Sequence, residues 1–167
     1  ASIGRDVGIA PNTVKKYVQI FEALYIVFRV TPYAKNIARS LVKEPKIYFF
    51  DTGLVKENNG RRLENEVALC LLKHCYHIRD TQGKPAELHY LKTKEGKEVD
   101  FCLVQNHKPV QMIEVKKNDP TPAETLQYFH KKYDWSAIQL TMDLKRERVI
   151  DGLELRDADR FLQNLEV

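Results

Sequence analysis

The sequence has little that would commit it to a membrane, to cysteine-held metal or to nucleotide hydrolysis. No apolar run in its 167 residues approaches the roughly 20 residues that span a bilayer. The longest candidate, residues 21–30, is interrupted by Glu22 and Arg29. Residues 1–10 carry Arg5 and Asp6 where the apolar part of a secretory signal would begin. The three cysteines, Cys70, Cys75 and Cys102, fit no metal-binding spacing and cannot all pair within one chain. Each lies in an apolar segment, which predicts small core residues in a reducing cytoplasm. None of the seven glycines opens a Gly-x(4)-Gly-Lys-Ser/Thr loop; Gly83-Lys84-Pro85 and Gly96-Lys97-Glu98 have the wrong neighbours. The chain itself is therefore not expected to bind or hydrolyse ATP. His74 and His77 share a helical face but lack partner ligands in sequence, so no zinc site is expected. Internal repeats and low-complexity tracts are also missing.

What is present describes a globular protein. Hydrophobic residues make up 43% and charged residues 30%, a balance that supports a core rather than disorder. The length suits one core of moderate size or two small domains. The chain begins without methionine and already inside a pattern, which suggests a fragment or processed piece of something longer.

The formal net charge of +4 is unevenly spread. Residues 1–50 hold eight basic residues against three acidic ones, so this segment carries the whole positive excess. Residues 2–7 read as a short helix and residues 8–12 as a turn. Asn12 is then a good N-cap for a helix over residues 13–25. Val14, Tyr17, Val18, Phe21, Leu24 and Tyr25 recur there at three- and four-residue steps and form one apolar stripe. Residues 25–30 and 46–50 read as strands. Helix, helix, strand, basic loop, strand is the order of a winged helix-turn-helix, partial here and assigned to residues 1–55. Lys15 and Lys16 on the second helix, with Lys35, Arg39 and Lys43 in the loop, are the candidate contacts to DNA or RNA. The same module would also serve as a packing unit or dimer surface.

Residues 51–60 read as a linker or loose loop, and a second domain is assigned to residues 61–167. It runs as a helix over residues 61–76, strands over 87–93, 98–104 and 110–116, a helix over 123–133, a strand over 135–141 and a closing helix over 157–165. Helices flanking a mixed sheet make the class α/β.

Within that sheet two triplets stand out, Val99-Asp100-Phe101 and Glu114-Val115-Lys116. Alternation along a strand points Glu114 and Lys116 to the same side. The short polar stretch 105–109 makes the two strands antiparallel neighbours, which brings Asp100 beside Glu114 and Lys116. Two carboxylates and an ammonium in one small space form a workable Mg²⁺ site with a cation next to the reacting group. The bland reading is a solvated Glu-x-Lys face. The apolar context argues against it, because ionised groups in buried strands are costly unless paired or metal-bound.

The order helix with Glu64, hairpin with Asp100, strand Glu114-Val115-Lys116, helix, strand resembles the PD-(D/E)XK (restriction-endonuclease-like) nuclease core. More closely, the chain resembles the C-terminal region of a family of prokaryotic AAA-type ATPases whose tail is a domain of unknown function. Five blocks carry this resemblance: residues 11–17 (PNTVKKY), 45–54 (PKIYFFDTGL), 63–67 (LENEV), 96–101 (GKEVDF) and 113–116 (IEVK). It implies an upstream ATPase module in the same protein, a winged helix and a nuclease-like tail. It further implies that Asp100 and Glu114 hold Mg²⁺ with the Val115 carbonyl as a third ligand. Lys116 would then orient the attacking water or stabilise the transition state, and Glu64 would complete the metal shell. Three functions stay open at this point: a metal-dependent endonuclease, a catalytically silent nucleic-acid-binding module, and a regulatory tail of the ATPase.

Overall fold

The computed structural model describes residues 2–34, 44–56 and 59–165. Two helices lead the chain, α1 (Ser2–Asp6) and α2 (Pro11–Ala23). Asn12 does not cap α2. The helix starts earlier, at Pro11, with Ala10 in the N-cap position and no side-chain cap. Proline's fixed φ and missing N–H suit the first helical position, where that N–H would have no partner. Of the apolar stripe over residues 13–25, Val14 and Val18 are half-buried, while Tyr17, Phe21, Leu24 and Tyr25 stay exposed.

β1 (Val27–Pro32) and β2 (Lys46–Phe49) pair antiparallel, with Phe28 opposite Tyr48 and Val30 opposite Lys46. Residues 35–43, with Lys35, Arg39 and Lys43, lie outside the described residues. Where a loose linker was expected, Asp51 accepts the Gly53 N–H at 2.8 Å and caps a 3₁₀ turn (Thr52–Leu54). Asn59 already opens α3 (Asn59–Gln82). This helix runs well past the expected end at residue 76 because Ile78 continues its buried stripe. Gly83 then stops it in a left-handed conformation, donating its N–H to the Arg79 carbonyl.

β3 (Ala86–Lys92), β4 (Glu98–Gln105) and β5 (Lys108–Lys116) follow as successive antiparallel neighbours. α4 (Glu124–Tyr133) then returns the chain so that β6 (Ser136–Thr141) lies parallel to β5. An unanticipated hairpin comes next, β7 (Arg148–Ile150) and β8 (Leu153–Asp157), before the closing helix α5 (Ala158–Gln163). Its signal was Asp151-Gly152, the dipeptide that suits a two-residue turn with both φ positive; their φ values are 49° and 81°. A Cβ at Gly152 would also stand 2.7 Å from His130 Nε2, so the imidazole would have to shift to admit one.

The strand order is β2-β1-β3-β4-β5-β6-β8-β7. β1 joins the rest through parallel pairing of Thr31 with His89 and Pro32 with Tyr90. The mixed sheet is thus an eight-stranded central layer in an α/β protein. α3 and α5 cover one face, burying Val67, Leu71 and Phe161 against Phe101, Leu103 and Ile113. α4 covers the other, where Leu126 and Phe129 meet Val99, Cys102 and Met112. Each fully buried side chain of this size, Leu71 for example, stabilises the fold by about 1.5–3 kcal/mol. Burial pushes the Cys75 thiol up to about 11 and Cys102 to about 12, so both act as small core residues. Among the described residues no helix is long and apolar enough to cross a membrane.

Candidate functional site

The site begins with an irregularity in β4. His89 pairs with Cys102 and Leu91 with Val99, so Tyr90 alone faces the two residues Asp100 and Phe101. A bulge of this kind breaks strand alternation and re-aims a side chain. Val99 lies on the α4 side, whereas Phe101 and Leu103 lie on the α3 side. Asp100 shares the α3 side with Phe101 and meets Lys46 there.

Beyond the rung between Phe101 and Ile113, carboxylates replace backbone partners between β4 and β5. The Val115 N–H donates to Asp100 Oδ2 at 3.0 Å, and the Asp100 N–H donates to Glu114 Oε2 at 3.4 Å. Each strand's acid therefore satisfies an N–H of the other. The second oxygens face cations: Glu114 Oε1 accepts from Lys116 Nζ at 2.6 Å, and Asp100 Oδ1 from Lys46 Nζ at 3.0 Å. Glu114 is only 5% exposed. Burial, reinforced by the charge of Asp100, pushes its carboxyl up to about 7 against the pull of Lys116. Burial works to lower the Lys116 ammonium, but its bond to Glu114 and the charges of Glu114 and Asp100 outweigh this and raise it.

Glu64 reaches the same place from α3. Its Oε1 accepts from the Tyr48 hydroxyl at 2.7 Å and from Lys46 Nζ at 3.3 Å. Glu64, Asp100, Glu114 and Lys116, the four positions singled out in sequence, are thus joined by one chain of contacts. Three further residues belong to it that sequence reasoning missed. Lys46 had been counted with the basic N-terminal segment, yet it turns inward and bridges Glu98 at 2.9 Å, Asp100 at 3.0 Å and Glu64 at 3.3 Å. Its Nζ lies over the Tyr90 ring, 5.6 Å from the centroid. Burial works to lower its ammonium, and the surrounding carboxylates outweigh that and raise it. Tyr48 is held protonated, raised by burial and by the charge of Glu64. Glu98, which burial would raise, is held below the usual range by Lys92 and Lys46. The available signal was alternation: Lys46 and Tyr48 flank Ile47 on one strand, as Glu98 and Asp100 flank Val99 on another.

Two buried amides fix the frame. Asn65 on α3 donates to the Phe49 carbonyl and accepts the Phe49 N–H, both at 2.8 Å, which docks the end of β2 on the helix. Gln139 on β6 donates to the Asp119 and Thr121 carbonyls at 2.9 Å and accepts the Ala123 N–H at 2.8 Å. The loop that leaves Lys116 is pinned in this way. A cleft of about 660 Å³ opens over the β2–α3 side, lined by Lys46, Tyr48, Glu64 and Asp100 with Lys56 and Arg61 beside them.

The oxygen donors of Asp100 and Glu114 fit Mg²⁺, a hard cation that usually takes one or two carboxylates, keeps several waters and uses substrate phosphate for the rest. Among the described residues no three His, Cys, Asp or Glu side chains form a ready-made cage; a two-carboxylate site does not need one. Lys15 and Lys16 are exposed on α2.

Comparison with known proteins gives the lineage without an activity. Residues 59–154 match the model of a domain of unknown function (DUF4143), and residues 1–64 match another (DUF8612). An uncharacterized protein of Mycobacterium tuberculosis and one of Mycobacterium bovis are each 26% identical over 129 residues. The match covers 74% of this chain and 29% of each relative, so the chain spans less than a third of their length. No solved structure matches.

Proposed function

The chain belongs to the DUF4143 domain family, and from that premise we propose that its clustered carboxylates and lysine serve Mg²⁺-dependent cleavage of phosphodiester bonds in DNA. The observation that carries this reading is the bulge-directed meeting of Asp100 with Glu114 and Lys116 at the end of β4 and β5. Asp100 and Glu114 would hold the ion with the Val115 carbonyl, and Glu64 would complete the shell through water. Bound there, Mg²⁺ would supply Lewis acidity to the scissile phosphate and acidify a bound water. Lys116, 2.6 Å from Glu114, would orient the attacking water and offset charge developing on the phosphoryl oxygens. The finer fold assignment goes with this proposal: a PD-(D/E)XK core preceded by a partial winged helix. In it Lys15 and Lys16, with Lys35, Arg39 and Lys43, contact nucleic acid, with RNA as the alternative to DNA. An AAA-type ATPase module of the same full-length protein is the proposed upstream partner, in the cytoplasm.

One observation favours a second reading. Lys46 already neutralises part of the acidic charge of Glu64, Glu98 and Asp100, as a catalytically silent site would require. In that case the fold binds DNA or regulates the attached ATPase. Plasmid cleavage with Mg²⁺ or Mn²⁺ separates the two. The nuclease reading expects nicking by the chain and its loss in Asp100→Ala and Lys116→Ala. Cleavage that survives both substitutions removes the proposed site, and no cleavage by the parent chain favours the silent reading.

A further inference from the structure

Lys46 sits among the carboxylates of the cluster, and the proposed chemistry gives it no role. Its ammonium stands 3.0 Å from Asp100 Oδ1, 3.3 Å from Glu64 Oε1 and 2.9 Å from Glu98 Oε1. Asp100 Oδ2 is engaged by the Val115 N–H, so Oδ1 is the oxygen left to face an ion. Mg²⁺ binds carboxylate oxygen at about 2.0–2.1 Å, and an ammonium 3.0 Å from that same oxygen would then lie within a few ångströms of a doubly charged ion. Two like charges at such range repel strongly at any dielectric a protein offers.

We infer that Lys46 is a resident cation that holds Asp100 and Glu64 in place and must leave Asp100 before a divalent ion can bind. The inference rests on the proposed metal site. Lys46 has the means to move. Its stem is flexible, its charge is a point rather than a planar fork, and it lines the 660 Å³ cleft into which it can swing. Glu98 Oε1 lies 2.9 Å away and keeps a partner for the ammonium once Asp100 is released. Lys46 is thus a positioning residue that sets metal affinity, and the site is kept assembled and charge-compensated when no metal is bound.

The test is Mn²⁺ affinity, read by titration calorimetry or by the electron paramagnetic resonance of free Mn²⁺, on the chain and three variants. Lys46→Met keeps an unbranched stem and removes the charge; it is expected to bind Mn²⁺ at least roughly tenfold more tightly than the parent, since a competing charge is gone. Lys46→Arg keeps the charge and is expected to stay near the parent affinity. Lys46→Gln, which retains a hydrogen-bond donor for the same carboxylates, repeats the measurement should the Met variant fail to fold. Adding Asp100→Asn to the Met variant should abolish the tight site. Equal or weaker Mn²⁺ binding without Lys46, with Asp100→Asn still abolishing it, overturns the inference and leaves the metal site standing. Absence of saturable binding in every variant overturns both.

Discussion

The two halves of the site are built in different ways. The β4–β5 half, with Asp100, Glu114 and Lys116, is held by neighbouring strands whose N–H groups its own carboxylates satisfy. The β2–α3 half, with Lys46, Tyr48 and Glu64, exists because a helix docks on the end of β2, and the Asn65 clamp is what holds it there. One half follows from strand geometry, the other from tertiary packing. The first should survive changes that dissolve the second.

Cutting the clamp gives the largest effect. Asn65→Leu leaves the Phe49 N–H and carbonyl without their partners inside the fold, and should cost about 2–4 kcal/mol in chemical denaturation. Amide exchange should then quicken in β2 while β4 and β5 keep their protection. Equal loss of protection in both would break the division between the halves.

Next comes Glu114→Gln, which acts on the strand-built half. The Glu114 carboxyl sits at about 7 in the fold, above its unfolded value near 4.3. Between those two values the native state holds more protons than the unfolded chain, so stability falls as pH rises through that window and levels off above it. The Gln variant should lack this fall and be more stable above pH 7 by on the order of 1–3 kcal/mol, with little difference below pH 4. Parallel pH–stability curves for the two proteins would contradict the assignment.

Tyr48→Phe is smaller. It removes one hydrogen bond to Glu64, and about 1 kcal/mol should be lost, with the pH dependence due to Glu114 retained. Smallest in stability is the pair Lys15→Ala and Lys16→Ala on the exposed surface of α2, within about 0.5 kcal/mol of the parent. Their effect should appear in DNA binding, where the salt slope falls by about two if both contact phosphate.

The contrast between the halves also explains how much could be read from the sequence. Strand alternation and a short turn, both local rules, make Asp100 a neighbour of Glu114 and Lys116 in the sequence reading, but not the bulge that turns Asp100 toward Lys46. Glu64 enters through the resemblance, as the carboxylate on the helix that precedes the hairpin. Lys46 falls in the segment that carries the positive excess, and no local rule pairs residue 46 with residues 64, 98 and 100 across the intervening chain. The bulge at Asp100 and Phe101 was likewise hidden, since it depends on how β3 meets β4. The β7–β8 hairpin had local signals in Asp151-Gly152 and in the alternating Leu153 and Leu155 of β8, both buried, but β7 is three residues long and mostly exposed, which left the partner strand without apolar alternation to support it. The stripe along residues 13–25 teaches the converse. Its periodicity was plain, yet Tyr17, Phe21, Leu24 and Tyr25 remain exposed, because amphipathicity names a face and not the surface that covers it.

The central claim is that Asp100 and Glu114 form one metal site which Lys46 must vacate. Anomalous diffraction from crystals of the chain soaked in Mn²⁺ tests it most directly. The account predicts a single peak bound by Asp100 and Glu114, with Lys46 Nζ withdrawn from Asp100 Oδ1 and still near Glu98. A peak away from these carboxylates, or Lys46 still bridging Glu64, Glu98 and Asp100 with no peak at saturating Mn²⁺, would contradict it.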